Sequence, residues 1–309
     1  MQTSLIVLRQ VLIILLLLSV GAVSFKTRLI SESAANDMAG FALKVVTPCV
    51  VIRAFQIDFD PALLRNMLIA AVLAVLCHLL GILLARVFFG GQDGGSNRIY
   101  RFAVTYCNCG FMGIPLIEGA VGEEGVLYAS VYIVVFQALM WSHGVMTVRG
   151  GFRSIRPFKI FINAGTIGIA VGLPLFFTST ALPPVLSETV GHIANLNTPL
   201  AMIVSGVFIA KSDLRRALTG TRQYLCVALR QLAIPLLMMG LMLLWPAPDT
   251  VALTLLLIAA CPVASAVTLF AAQYGSERDL STAAEVLTLS NILSAVTIPA
   301  IVLLYGALH

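Results

Sequence analysis

Asn108, Cys109, Gly110, Gly113 and Pro115 sit in the middle of an apolar segment, inside the string V-T-Y-C-N-C-G-F-M-G-I-P-L-I-E at 104–118. Proline removes a backbone donor and clashes with the preceding turn, and the two glycines weaken a helix and admit close approach of another backbone. The string therefore predicts a helix broken at mid-membrane. A second break is expected at 259–268, A-A-C-P-V-A-S-A-V-T, where Pro262 is flanked by small residues with Ser265 and Thr268 close by. Freed N–H and C=O groups are tolerated in hydrocarbon only where protein or a wet cavity surrounds them, so two interrupted helices mark a binding site. The chemistry available there is binding: helix N-termini carry partial positive charge, and the Asn108 amide can donate to a carboxylate. Bond-making chemistry lacks its parts. Ser142 and His143 are adjacent and point in different directions on a helix, and no G-x-S-x-G or H-E-x-x-H occurs. The six cysteines, Cys49, Cys77, Cys107, Cys109, Cys226 and Cys261, show no C-x-x-C or ligand spacing, so neither a metal nor a cofactor is expected.

The elements that carry these breaks follow from composition. Of 309 residues, 59% are hydrophobic and only 11% charged, with mean hydropathy +0.99, which assigns an all-α polytopic membrane protein. Apolar runs lie at 4–25, 33–54, 61–89, 99–120 and 125–148, then at 159–177, 184–210, 222–244, 251–274 and 281–308. The first is long and lacks a clean A-x-A site, as a true span does. That gives about ten spans, five on each side of a basic connection at 149–159. Thr47-Pro48 in the second run answers Thr198-Pro199 in the seventh, and Leu63-x-Arg65 answers Leu214-x-Arg216 at the same offset. Two units, 1–150 and 151–309, are expected, and an odd number of spans per unit turns them in opposite orientations.

Net charge of +5 would suggest nucleic acid in a soluble chain, but here the basic residues sit in short gaps between apolar runs. Connections after odd-numbered spans carry Lys26, Arg28, Arg98, Arg101, Arg149, Arg153, Arg156, Lys159, Lys211, Arg215, Arg216, Arg222 and Arg278. The other side has Arg9, Arg53 and Arg65. By the positive-inside rule the first set is cytoplasmic and both termini face outward.

Four strings resemble the auxin efflux carrier family: N-C-G-F-M-G-I-P-L-I at 108–117, V-F-Q-A-L-M-W at 135–141, N-T-P-L-A-M-I-V-S-G-V-F-I-A at 197–210 and P-V-A-S-A-V-T-L-F-A-A-Q-Y-G at 262–275. The resemblance implies a fold similar to the sodium/proton antiporters and bile-acid symporters, with ten spans in two inverted five-helix repeats whose fourth and ninth cross at prolines. It implies that Asn108 meets a substrate carboxylate, that Gln137 and Asn163 line the cavity, and that Pro262 marks the second crossing. The long cytoplasmic insert of many plant members is missing, so the chain resembles compact bacterial members, which are associated with malonate, malate and similar dicarboxylates.

Among charged groups inside the runs, Lys44 and Arg230 are candidates for a coupling or charge role, and each has a structural alternative: for Lys44, pairing with Asp37 or snorkelling toward an interface; for Arg230, structural pairing, with Glu285 as one candidate partner. His78, His143 and His192 could relay protons or simply pack with a hydrogen bond. Asn197, just before Pro199, is expected in the cavity with Cys109, Gly110, Pro115 and Ser265 near the crossing. The expected function is a secondary carrier of small carboxylate anions by alternating access, homodimeric, in a bacterial cytoplasmic membrane, with H+ or Na+ as possible coupling ion and no nucleic acid. A sodium-coupled bile-acid-symporter-like carrier, an anion channel and a membrane receptor are the alternatives; no Asp-Asp pair of the antiporter type occurs.

Overall fold

A computed structural model describes residues 2–91, 96–150, 164–211 and 214–308. In order, the helices are α1 (Gln2–Lys26), α2 (Glu32–Ala54), α3 (Pro61–Phe89), α4 (Asn97–Thr105), α5 (Cys109–Ala120), α6 (Glu123–Arg149), α7 (Ala164–Phe177), α8 (Pro184–Lys211), α9 (Leu214–Thr219), α10 (Thr221–Leu244), α11 (Asp249–Ala260), α12 (Ala266–Tyr274) and α13 (Glu277–Leu308). Among the described residues there is no β-strand, only one isolated bridge between Cys107 and Val263. Among the described residues, six helices, α2, α3, α6, α8, α10 and α13, are long and apolar enough to cross a membrane. A helix satisfies its own backbone groups, which is why an apolar chain with no water to bond to adopts little else.

Helix ends follow local chemistry. Asp60 caps α3, its carboxylate accepting from the Ala62 N–H at 2.8 Å, with Pro61 in the first turn where no donor is needed. Ser31 does the same for α2, accepting from the Ala34 N–H at 3.1 Å. Inside α2 and α10, π-helical turns at Ala42–Val46 and Leu229–Ala233 are each followed by a proline at the second position, Pro48 and Pro235. Widening the turn relieves the clash between the proline ring and the preceding carbonyls without ending the helix.

The same device explains a difference from the sequence reading. Pro115 was expected at the break, yet it lies in the first turn of the helix Ile114–Ala120, directly after a π-helical turn at Cys109–Gly113. The chain leaves helical geometry earlier, at Tyr106, whose φ and ψ are −109° and 120°. The fourth apolar run is therefore divided into α4 and α5 at residues 106–108, which contain no proline. The ninth divides into α11 and α12, and there Pro262 does lie in the break.

Two helix pairs fix the frame. α1 packs along the Asn197–Lys211 part of α8 at backbone distance: a Cβ added to Gly21 would collide with the Ile203 carbonyl, and one added to Gly206 would collide with the Leu18 carbonyl. Close approach through small residues is how apolar helices associate without a hydrophobic driving force between them. α3 packs against α4 and α6, and α11 against α6 and α10, which surrounds both breaks with helices.

Candidate functional site

Residues 106–108 and 262–264 run past each other antiparallel at the centre of the molecule. The Asn108 N–H donates to the Pro262 carbonyl at 2.8 Å, and the Ala264 N–H donates to the Tyr106 carbonyl at 2.9 Å. The Val263 N–H points the other way and finds the Ser290 hydroxyl of α13 at 3.2 Å. Tyr106, Cys107, Cys261 and Val263 are fully buried. These bonds answer for the strand-like backbone of both breaks, which in an apolar interior would otherwise cost about 1–3 kcal/mol per unpaired group.

The helix ends on either side of this crossing are treated differently. α4 and α11 finish with free carbonyls, and the fully buried Arg230 reaches from the π-helical turn of α10 to collect them. Its Nη1 donates to the Val104 and Thr105 carbonyls at 3.2 Å each, and its Nη2 donates to the Ala259 carbonyl at 2.7 Å. Each helix C-terminus carries about half a negative charge, so the pair offers roughly one countercharge to one guanidinium. Glu285, the partner considered from the sequence, is held elsewhere, accepting from Gln223 Nε2 at 2.7 Å and from the Ser281 hydroxyl at 2.9 Å. The cation is matched by backbone dipoles.

At the opposite ends, α5 and α12 begin with roughly half a positive charge each. Asn108 caps α5, its Oδ1 accepting from the Phe111 N–H at 3.3 Å while its Nδ2 donates to the Ser265 hydroxyl at 3.4 Å. Ser265, at the start of α12, makes no side-chain cap bond. Neither helix has an acidic residue in its first turn. The crossing is open on this side: Gly110 and Ser265 are partly exposed, and a Cβ built on Gly110 would meet no atom within 4 Å. Two positive helix ends, the buried Asn108 amide and the partly exposed Ser265 hydroxyl thus meet beside this open side, with no carboxylate in the first turn of either helix among the described residues.

The remaining candidates fall into groups. Cys109 is buried beside Asn108 in the π-helical turn, and Pro115 lies beyond it with its carbonyl accepting from Gln10 Nε2 at 3.1 Å. Gln137 is 9% exposed on the stretch of α6 that packs against the Cys109–Gly113 turn. Asn197 is 2% exposed and both atoms of its amide lack a partner among the described residues. It stands where α8 resumes after a turn at Asn195 and Leu196, on the segment that packs against that same turn of α5. Asn163 and the basic residues Arg153, Arg156 and Lys159 lie outside the described residues. Lys44 is exposed in the π-helical turn of α2 and makes no ion pair among the described residues, so pairing with Asp37 is not found.

His143 contacts the crossing from its other flank, its Nδ1 sharing a 3.0 Å hydrogen bond with the Tyr106 hydroxyl. His78 is a packed histidine: Nδ1 lies 2.7 Å from the Ala74 carbonyl and its ring lies 5.0 Å from that of Tyr132. Sequence reasoning missed Tyr106, Val263 and Ser290 as parts of the crossing. Ser290 carried the only readable signal, a hydroxyl beside Asn291 in an apolar run. The C-terminal end of α5 is tied to α2 by an ion pair between Glu118 and Arg53, and Arg53 Nη1 also donates to Asn195 Oδ1 at 2.7 Å.

A helical membrane protein that interrupts two helices and crosses them at the centre has the build of a membrane transporter. A family model described as membrane transport protein matches residues 6–302, and the chain belongs to this family, that of the auxin efflux carriers. No curated protein is matched by the chain.

Proposed function

We propose that the protein is a secondary carrier of small organic anions, with the substrate carboxylate held at the N-terminal ends of α5 and α12. One observation carries this reading: Arg230 neutralises the two helix C-termini at the crossing, while the two N-termini have no carboxylate in their first turns. An anion from solution completes the charge balance that the chain leaves open on one side. Amide, hydroxyl and backbone donors hold it without a fixed cation, so it can be released again. Asn108 and Ser265 are the direct donors, and Gln137, Asn163 and the unpartnered amide of Asn197 shape the rest of the cavity.

The mechanism follows the family architecture. Ten spans form two inverted five-helix units, 1–150 and 151–309, in a bacterial cytoplasmic membrane with both termini outside. α3 to α6 and α10 to α13 form the crossover unit, and it moves against a scaffold that includes the tight α1 and α8 pair and carries the homodimer surface. The Arg53–Glu118 ion pair joins scaffold to crossover unit on the outer side, so it breaks when the site opens outward. A gradient of H+ or Na+ drives the cycle. Channels and receptors lack the moving halves that this reading needs, and saturable, gradient-dependent flux separates a carrier from them.

The test is uptake into proteoliposomes of malonate, malate, a monocarboxylate and indole-3-acetate, comparing wild type with Asn108→Ala. Saturable uptake of one anion, lost in the variant, supports the site and names the substrate class. Undiminished uptake by Asn108→Ala overturns the placement of the carboxylate.

A further inference from the structure

Asn66, Glu124, Tyr128 and Thr250 come together near the starts of α3, α6 and α11, three helices that pack against one another. The fully buried Tyr128 donates its hydroxyl to Glu124 Oε1 at 2.6 Å, and Thr250 donates to the same oxygen at 3.2 Å. Among the described residues Oε2 accepts no hydrogen bond and Glu124, half-buried, forms no ion pair. Because the Tyr128 proton is committed to the carboxylate, Asn66 must turn its Nδ2 toward the tyrosine oxygen, and the two lie 3.1 Å apart. Asn66 Oδ1 is then a buried acceptor with no donor among the described residues. Thr254, one turn further along the same face of α11 as Thr250, is fully buried and its hydroxyl lacks a partner as well.

We propose that these oxygens bind an alkali-metal cation. A carboxylate, an amide carbonyl and hydroxyls are hard oxygen donors, and a cation satisfies Oε2 and Asn66 Oδ1 at once, as a hydrogen-bond donor from one side cannot. One carboxylate in the cluster suits one positive charge. Among the described residues no group of three His, Cys, Asp or Glu side chains is placed to hold a metal ion, so the carboxylates that a caged divalent ion draws on are missing. Glu123 and Asp249, in the first turns of α6 and α11, are exposed and add to the negative field. With Glu124 they outweigh the roughly half a positive charge that each helix start carries. Arg65, next to Asn66 on α3, is exposed and forms no ion pair among the described residues. Occupancy would tie the starts of α3, α6 and α11 together, and α11 runs from there into the break at Pro262.

Thermal unfolding of the purified full chain in detergent, in NaCl or KCl against N-methyl-D-glucamine chloride at equal ionic strength, is the test. Stability, not uptake, is the readout, so the result does not depend on the carrier assignment. A saturable rise in melting temperature with Na+ or K+, lost in Glu124→Gln, supports the site, and the ion that acts at the lower concentration is the preferred ligand. Glutamine keeps an acceptor for Tyr128 and Thr250 while removing the charge, so the variant is expected to fold. Should it fail to, Asn66→Leu, which removes the unmatched oxygen, must weaken the response to the same cation. No rise with either cation, or an equal rise in wild type and variant, overturns the assignment.

Discussion

The two faces of the crossing differ in who supplies the countercharge. On one face the C-terminal ends of α4 and α11 meet Arg230, a residue of the chain, and the balance is permanent. On the other the N-terminal ends of α5 and α12 meet Asn108, Ser265 and open space, and the balance is left unfilled. A fixed charge suits a structural joint. A missing one suits a ligand that must come and go.

The comparison predicts unequal consequences when either face is altered. Arg230→Met has the largest effect, because it leaves three carbonyls without their donor in the core, at about 1–3 kcal/mol each. The expected outcome is a large fall in melting temperature in detergent or loss of folded protein. Arg230→Lys keeps the charge but not the fork and should fall between. Wild-type stability in Arg230→Met would erase the distinction between the faces.

Gly206→Val comes next. It forces a side chain into the Leu18 carbonyl and parts α1 from α8, costing about 1–3 kcal/mol, read as lower thermal stability with the crossing residues intact. Asn108→Ala removes a cap and an amide. Its stability cost is about 1 kcal/mol, whereas transport should be abolished, so the ratio of the two effects is the informative quantity. The smallest effect is expected for Glu118→Gln. Its partner Arg53 is only partly buried, so the ion pair contributes less than about 1 kcal/mol, and the change should appear as altered transport rate with unchanged stability.

Much of the fold was legible because a bilayer allows so few solutions. Apart from the breaks in the fourth and ninth runs and the turn at Asn195 and Leu196, each apolar run is helical over its described residues, and α3 begins and ends where hydropathy, Asp60-Pro61 and Gly90 place it. The break in the ninth run was readable from Pro262, since a proline there removes a donor at the point of departure from the helix. The break in the fourth run was misplaced toward Pro115. That proline needs only a widened turn, and the true departure at Tyr106 is set by pairing with residues 262–264, which local sequence does not encode. Arg230 was recognisable as a buried cation but its role was not, because its partners are backbone carbonyls at separations of 125 and 126 residues on one side and 29 on the other. Backbone acceptors leave no signature in residue type. The amide at Asn108 was legible for the opposite reason, since an asparagine in an apolar run is costly unless it is used.

The most direct measurement of the central claim is made on Ser265→Asp. An aspartate at the start of α12 would place the missing carboxylate inside the protein, accept from Asn108 Nδ2 and interact favourably with the helix N-terminus. The account predicts a variant that folds with a melting temperature at or above that of wild type and takes up no anion into proteoliposomes. A variant that folds and transports at the wild-type rate would contradict it, because the N-terminal face of the crossing would then not be where the anion binds.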